Sequence, residues 1–198
     1  MDDRADELLA KLAKEGDARA FDELFKRYKK PILNFIYRLI GNKETAEDVA
    51  LEAFMKVYEN ISIYDPNKKF STWLYTIARN LAKNSLRDKK YFKDRSIEET
   101  IAEGDETLHL KDVIEDSSMR PDVIAQDNEL AEEAQKVLNS LPGEYREVIT
   151  LCSVQGLKYE EAAKILGCSI ATISVRLEKA KELFVKTLGI DDPGKREK

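Results

Sequence analysis

The stretch Tyr159-Glu-Glu-Ala-Ala-Lys-Ile-Leu-Gly167-Cys-Ser169-Ile-Ala-Thr-Ile173-Ser-Val-Arg-Leu177 decides the fold of the C-terminal part of this chain. A helix-turn-helix needs a small residue where its helices cross, a glycine in the tight turn, and an aliphatic anchor in the second helix. Ala163, Gly167 and Ile173 supply these in order. The same triplet also suits an ordinary αα-hairpin, so the flanking residues matter. Ser169 stands where it can cap the second helix. At about 100° per residue, Ile170, Ile173, Leu177, Ala180 and Phe184 are expected to face inward, and Ala171, Thr172, Val175 and Lys179 outward.

Working outward, apolar residues recur at helical spacing in Leu130, Ala134, Val137, Leu138 and Leu141, stop at Pro142-Gly143, and resume with Tyr145, Val148, Ile149 and Cys152. The first ninety residues are helical in period as well. Leu8, Leu9 and Leu12 lead to a stop at Gly16, and Asp17 reads as an N-cap for the run Ala20, Phe21, Leu24, Phe25 and Tyr28. After Pro31 the spacing returns in Ile32, Phe35, Ile36, Leu39 and Ile40. Thr45 is expected to cap the next helix with Asp48 in a capping-box position, and Val49, Ala53, Phe54, Val57 and Tyr58 form its stripe. After the turn Tyr64-Asp65-Pro66-Asn67, Ser71 is expected to cap a helix with Leu74, Ile77, Ala78, Leu81 and Ser85 inside. No alternating strand pattern competes. The fold class is therefore all-α: two small helical domains, the second a helix-turn-helix, joined by a flexible linker. The boundaries read as 1–94, a linker over 95–127, 128–189, and a tail over 190–198.

Charge divides the chain the same way. The 198 residues carry 33 Lys+Arg and 38 Asp+Glu, a net of −5. Ser96–Glu133 alone holds thirteen acidic and two basic residues, a net of −11, so the remainder is basic at +6. An acidic tether between basic domains is expected to aid solubility, or to shield the free domains from nucleic acid, Glu98, Glu99, Glu103, Asp105 and Glu106 being the carboxylates concerned. Two cysteines, Cys152 and Cys168, make no CxxC pair and are expected to be buried small residues in a reducing cytoplasm. Glu106-x-x-His109 has the spacing of a di-iron motif, which needs a second copy, and His109 is the one histidine. No metal, cofactor or catalytic residue is expected. The charged N-terminus and the interrupted apolar runs predict neither signal peptide nor membrane insertion.

One basic element is concentrated. Arg79, Lys83 and Arg87 recur every four residues opposite the Leu74/Ile77/Leu81 face, flanked by Asn80 and Asn84, with Tyr64, Phe70 and Trp73 nearby. Cations attract phosphates, amides read base edges, and aromatic faces stack unpaired bases. A solvated face beside core aromatics is the plainer reading of the same residues.

Three segments resemble a known family. Ala46-Glu-Asp-Val-Ala-Leu-Glu-Ala-Phe54, Phe70-Ser-Thr-Trp-Leu-Tyr-Thr-Ile-Ala-Arg-Asn-Leu-Ala82, and Leu141-Pro142 followed by the helix-turn-helix are similar, in order, to motifs of bacterial RNA polymerase sigma factors of the extracytoplasmic-function group. Two positions depart from the pattern: Leu51 stands where glutamine is usual, and Ser174-Val175 where a basic residue and a serine are frequent. The resemblance implies a non-catalytic specificity subunit. Its N-terminal domain would bind the polymerase clamp, through Glu47, Asp48, Glu52 and Lys56, and the promoter minus-10 element, through Tyr64, Phe70, Trp73, Arg79, Asn80, Lys83, Asn84 and Arg87. Its C-terminal domain would bind the flap and the minus-35 element, through Ala171, Thr172, Ser174, Val175, Arg176 and Lys179. The resemblance also implies an anti-sigma partner, as many members have. The competing function is a helix-turn-helix regulator that binds DNA without core polymerase; a pure protein-interaction bundle leaves both basic faces unexplained.

Overall fold

The computed structural model describes residues 5–94 and 129–189, and among these residues all regular structure is helical. The N-terminal domain comprises α1 (Asp6–Lys14), α2 (Ala18–Ile40), α3 (Lys43–Glu59), a 3-10 turn (Ile61–Ile63) and α4 (Phe70–Asp94). The C-terminal domain comprises α5 (Glu129–Ser140), α6 (Gly143–Ile149) continuing into a wider turn over Thr150–Val154, α7 (Tyr159–Leu166) and α8 (Ile170–Thr187). The linker expected over 95–127, with its five carboxylates and Glu106-x-x-His109, lies outside the described residues, as does all but Gly189 of the segment after Leu188.

Local chemistry sets the helix ends. The Asp17 side chain accepts from the Arg19 and Ala20 amides at 3.0 and 3.3 Å, as an N-cap should. Ser169 does the same for the Thr172 amide at 3.1 Å. Two expected caps are displaced. Asn42, not Thr45, caps α3, its Oδ1 accepting from the Thr45 amide at 2.9 Å, because asparagine in the preceding extended position reaches the same orphan amide. And α4 starts one residue before Ser71, with the Phe70 amide donating to Glu7 of α1 at 3.4 Å.

Pro31 does not divide α2. Phe25, Ile32, Leu33, Phe35 and Ile36 are all buried on both sides of it, and their packing outweighs one lost backbone hydrogen bond. Each fully buried phenylalanine or leucine contributes roughly 1.5–3 kcal/mol. Phe35 and Phe54, both almost fully buried, anchor edge-to-face contacts with Tyr75 at 5.1 Å and Phe25 at 4.8 Å.

The domains are not held apart. One continuous apolar core runs from Leu9 through Leu138, Val148 and Leu151 to Ala180. Gly41, the left-handed C-cap of α2 at φ 76°, permits the approach: a Cβ there would meet the Asn139 side chain at 2.5 Å.

Candidate nucleic-acid interface

The N-terminal half of the site is built on α4 and the loop before it. Tyr64 and Phe70, expected on the DNA side, are 2% and 1% exposed. Tyr64 packs at 5.8 Å from Phe70 and 5.1 Å from half-buried Trp73, and Phe70 meets Tyr28 at 5.6 Å. Burial pushes the Tyr64 phenol up to about 12, and its hydroxyl donates to the Lys68 carbonyl. These two rings fix the loop from inside and present no face to an unstacked base. Aromatics beside a helix start suit a core as well as a stacking platform, and here α1 and α2 pack against them. The loop instead exposes Ile63, at 75% the most exposed large hydrophobic side chain among the described residues. Its only signal in the sequence was its place just before the Tyr64-Asp65-Pro66-Asn67 turn.

Farther along α4, Leu74, Ala78 and Ala82 are buried, while Asn80, Lys83, Asn84 and Arg87 are exposed. Arg87 stands 3.6 Å from Asp88. Arg79 is different. Its side chain is 16% exposed, and its guanidinium pairs at 2.9 Å with Glu147 of the C-terminal domain. Arg79, Lys83, Leu86, Leu39, Arg146, Glu147 and Arg176 line a cleft of about 380 Å³ between the domains.

On α8 the expected rotation holds for Ile173, Leu177 and Ala180, all buried, and for exposed Ala171, Val175 and Lys179. Val175 is 66% exposed. Ile170 departs from the inward set at 48% exposed, since it opens the helix where the turn no longer covers it. Thr172 and Ser174 are half-buried, and the Thr172 hydroxyl lies 2.8 Å from that of Ser169, inside the cap. Arg176 pairs with Glu144 at 2.8 Å, and Lys179 with Glu182 at 2.9 Å. Gly167, at φ 66°, makes the left-handed turn between α7 and α8.

On α3, Asp48, Glu52 and Lys56 are exposed and Glu47 is half-buried; Lys56 reaches Glu59 at 3.2 Å. The two cysteines are free and half-buried, and burial raises the Cys152 thiol despite Lys181 nearby. Among the described residues no group of His, Cys, Asp or Glu is placed to hold a metal ion, and no helix is long and apolar enough to cross a membrane.

Residues 24–91 match Sigma-70 region 2, and residues 131–183 match Sigma-70, region 4. The chain is 36% identical over 180 residues to the ECF RNA polymerase sigma factor SigW of Bacillus subtilis, covering 90% of this chain and 94% of the relative. It is 34% identical to the RNA polymerase sigma-H factor of Pseudomonas aeruginosa, over 92% and 93% of the two chains. The fold resembles CnrH in its complex with the cytosolic domain of CnrY, with a TM-score of 0.69, 23% identity, and coverage of 96% of this chain and 100% of that one. It also resembles the sigma factor RpoE in complex with the anti-sigma factor NepR from Bartonella quintana, with a TM-score of 0.67, 24% identity, and coverage of 88% and 100%. With both sigma regions in order and this identity sustained along nearly its full length, the chain belongs to the extracytoplasmic-function sigma factors of RNA polymerase.

Proposed function

We propose that this chain is a non-catalytic specificity subunit acting in the cytoplasm, which carries core RNA polymerase to a dedicated set of promoters through two DNA faces. The first is the exposed side of α4, where Asn80, Lys83, Asn84 and Arg87 meet the minus-10 region, with Ile63 offering apolar surface to an unstacked base. The second is the outward side of α8, where Ala171 and Val175 meet the minus-35 element and Arg176 meets phosphate. Asp48, Glu52 and Lys56 on the exposed side of α3 form the clamp contact, and the C-terminal domain the flap contact. An anti-sigma factor is the expected inhibitor, since a structural relative is a sigma factor bound to one.

The observation that carries this reading is the double sidedness of α8. Ile173, Leu177 and Ala180 are sealed into the core while Val175, two residues from either of the first two, stands 66% exposed at the start of the second helix of a helix-turn-helix. An exposed valine there has no packing role and suits a thymine methyl. An electrophoretic shift on promoter DNA, with and without core polymerase, tests the assignment. Specific binding is expected only with core; equal specific binding by the free chain identifies a conventional helix-turn-helix regulator.

A further inference from the structure

Helix α1 reaches both ends of the loop that leads into α4. Near its C-terminus Lys14 Nζ donates to the Tyr64 carbonyl at 2.8 Å, and near its N-terminus Glu7 Oε1 accepts from the Phe70 amide at 3.4 Å. These two positions stand about 10 Å apart along the helix axis, at 1.5 Å per residue. The helix therefore bridges the base of the loop, which enters at one end of it and leaves at the other. It is itself fixed: Asp6 accepts from Arg27 Nη1 at 2.7 Å and from the Tyr28 hydroxyl at 2.5 Å, which ties its first turn to α2. Leu9 and Ala10 are fully buried on its inner side.

The loop is ordered from within as well. Asp65 Oδ1 accepts from the Asn67 amide and from Asn67 Nδ2, both at 3.0 Å, and the Lys68 amide donates to the Asp65 carbonyl at 3.0 Å. That turn sets the shape of the loop, but not where it stands on the domain. Lys14 and Glu7 supply the second. Helix α4 has no acidic residue in its first turn, so Glu7 brings from α1 the carboxylate that helix N-terminal amides favour. Pro66, Asn67 and Lys68 stay exposed, and so does Ile63, immediately before the residue whose carbonyl Lys14 holds. Exposed loops are ordinarily the mobile part of a surface, whereas one held at both ends binds without the entropy cost of ordering it.

We infer that Glu7 and Lys14 are positioning residues for promoter reading: without touching DNA, they hold the 65–69 loop, and with it Ile63 and Asn67, in the arrangement that receives the minus-10 strand. Helix α1 lies outside residues 24–91, which match Sigma-70 region 2, so a segment beyond that match sets the geometry within it. The inference rests on the reading of this face as the minus-10 contact.

The test pairs a disruptive with a conservative variant at each end. Lys14→Met removes the donor and keeps an apolar stem on an exposed side chain, while Lys14→Arg keeps a donor. Glu7→Ala and Glu7→Gln do the same for the acceptor. Hydrogen exchange on the full chain reads the hold on the loop. A promoter used by the parent holoenzyme, with its minus-10 or its minus-35 element randomised, reads base choice after selection with each mutant holoenzyme. The amides of 67–69 in Lys14→Met, and that of Phe70 in Glu7→Ala, are expected to exchange roughly tenfold faster, while those of α2 keep the parent rate. Base preference at minus-10 is expected to fall by roughly threefold to tenfold in both, with core binding and minus-35 preference at the parent level. Lys14→Arg and Glu7→Gln are expected to return exchange and preference toward the parent. Unchanged exchange overturns the inference, as does faster exchange with minus-10 preference intact. An equal fall in core binding and minus-35 preference, or a loss that the conservative variants do not rescue, also overturns it, because α1 would then be structural support alone. The underlying reading fails separately, in the parent: a parent holoenzyme that selects no base at minus-10 removes the DNA contact itself, and the inference with it, whatever the exchange rates.

Discussion

The guanidinium of Arg146 donates to the main-chain carbonyl of Leu39 at 2.7 Å, so a residue of α6 closes the last turn of α2 107 positions earlier in the chain. The same side chain donates to the carbonyls of Asn139 at 2.6 Å and Leu141 at 3.1 Å. One cation thus serves the C-terminal ends of two helices, where carbonyls lack partners and the dipole favours positive charge. Burial lowers its pKa, but an arginine starts so high that it remains charged. Arg146→Met is expected to destabilise the chain by about 2–3 kcal/mol, because carbonyls at both helix ends lose a charged donor. Urea unfolding of the two proteins measures it.

Phe70 and Lys83 are expected to separate folding from readout. Phe70→Ala removes a ring that is 1% exposed and is expected to cost about 3–5 kcal/mol of stability. Lys83→Ala, on an exposed side chain, is expected to change stability by less than about 0.5 kcal/mol and to reduce open-complex formation more than core binding. Permanganate footprinting beside a core-binding titration distinguishes them; equal loss of melting and core binding in Lys83→Ala contradicts the assignment.

Arg176 and Val175 are expected to divide affinity from sequence choice. Arg176→Ala should weaken holoenzyme binding to all minus-35 variants alike and lower the salt slope by about one. Val175→Ala should shift the preferred base at one position by roughly 1 kcal/mol. Thr172, whose hydroxyl is engaged with Ser169, should instead show part of its effect as lost helix capping. A saturated minus-35 library selected with each mutant holoenzyme reads all three.

Acid should loosen the domain contact. Desolvation acts to raise the Glu161 carboxyl, but the hydrogen bond from Lys69, that from the Lys158 amide, and the charges of both lysines outweigh it, so its pKa is lowered. A carboxylate depressed on folding contributes stability that is fully present above its unfolded value, about 4.3, and is lost as pH falls through the folded value. The parent should therefore lose stability more steeply than Glu161→Gln below about pH 4.3. Parallel unfolding curves for the two proteins through this range would contradict it.

The helices were legible because they rest on local chemistry: Asp17 and Ser169 cap where their spacing says, and Ile173, Leu177 and Ala180 point inward. Gly167 makes its turn for the same local reason. Tyr64 and Phe70 were ambiguous because an aromatic ring serves a core and a stacking platform equally, and only the position of α1 and α2 decides between them. Pairing between domains left no local trace. Arg79 and Glu147 are 68 positions apart and Lys69 and Glu161 are 92 apart, so neither charge announces its partner in the sequence. A basic stripe read by periodicity alone counts Arg79 as free when it is not.

The central claim, that this chain directs core polymerase to promoters through α4 and α8, is tested most directly by transcription in vitro. Core polymerase is supplied with sheared genomic DNA, with and without the chain, and the start sites are mapped. The account predicts transcripts that appear only with the chain, begin downstream of a shared pair of upstream elements, and are lost with the Lys83→Ala, Arg87→Ala variant. Start sites that are the same with and without the chain would contradict it.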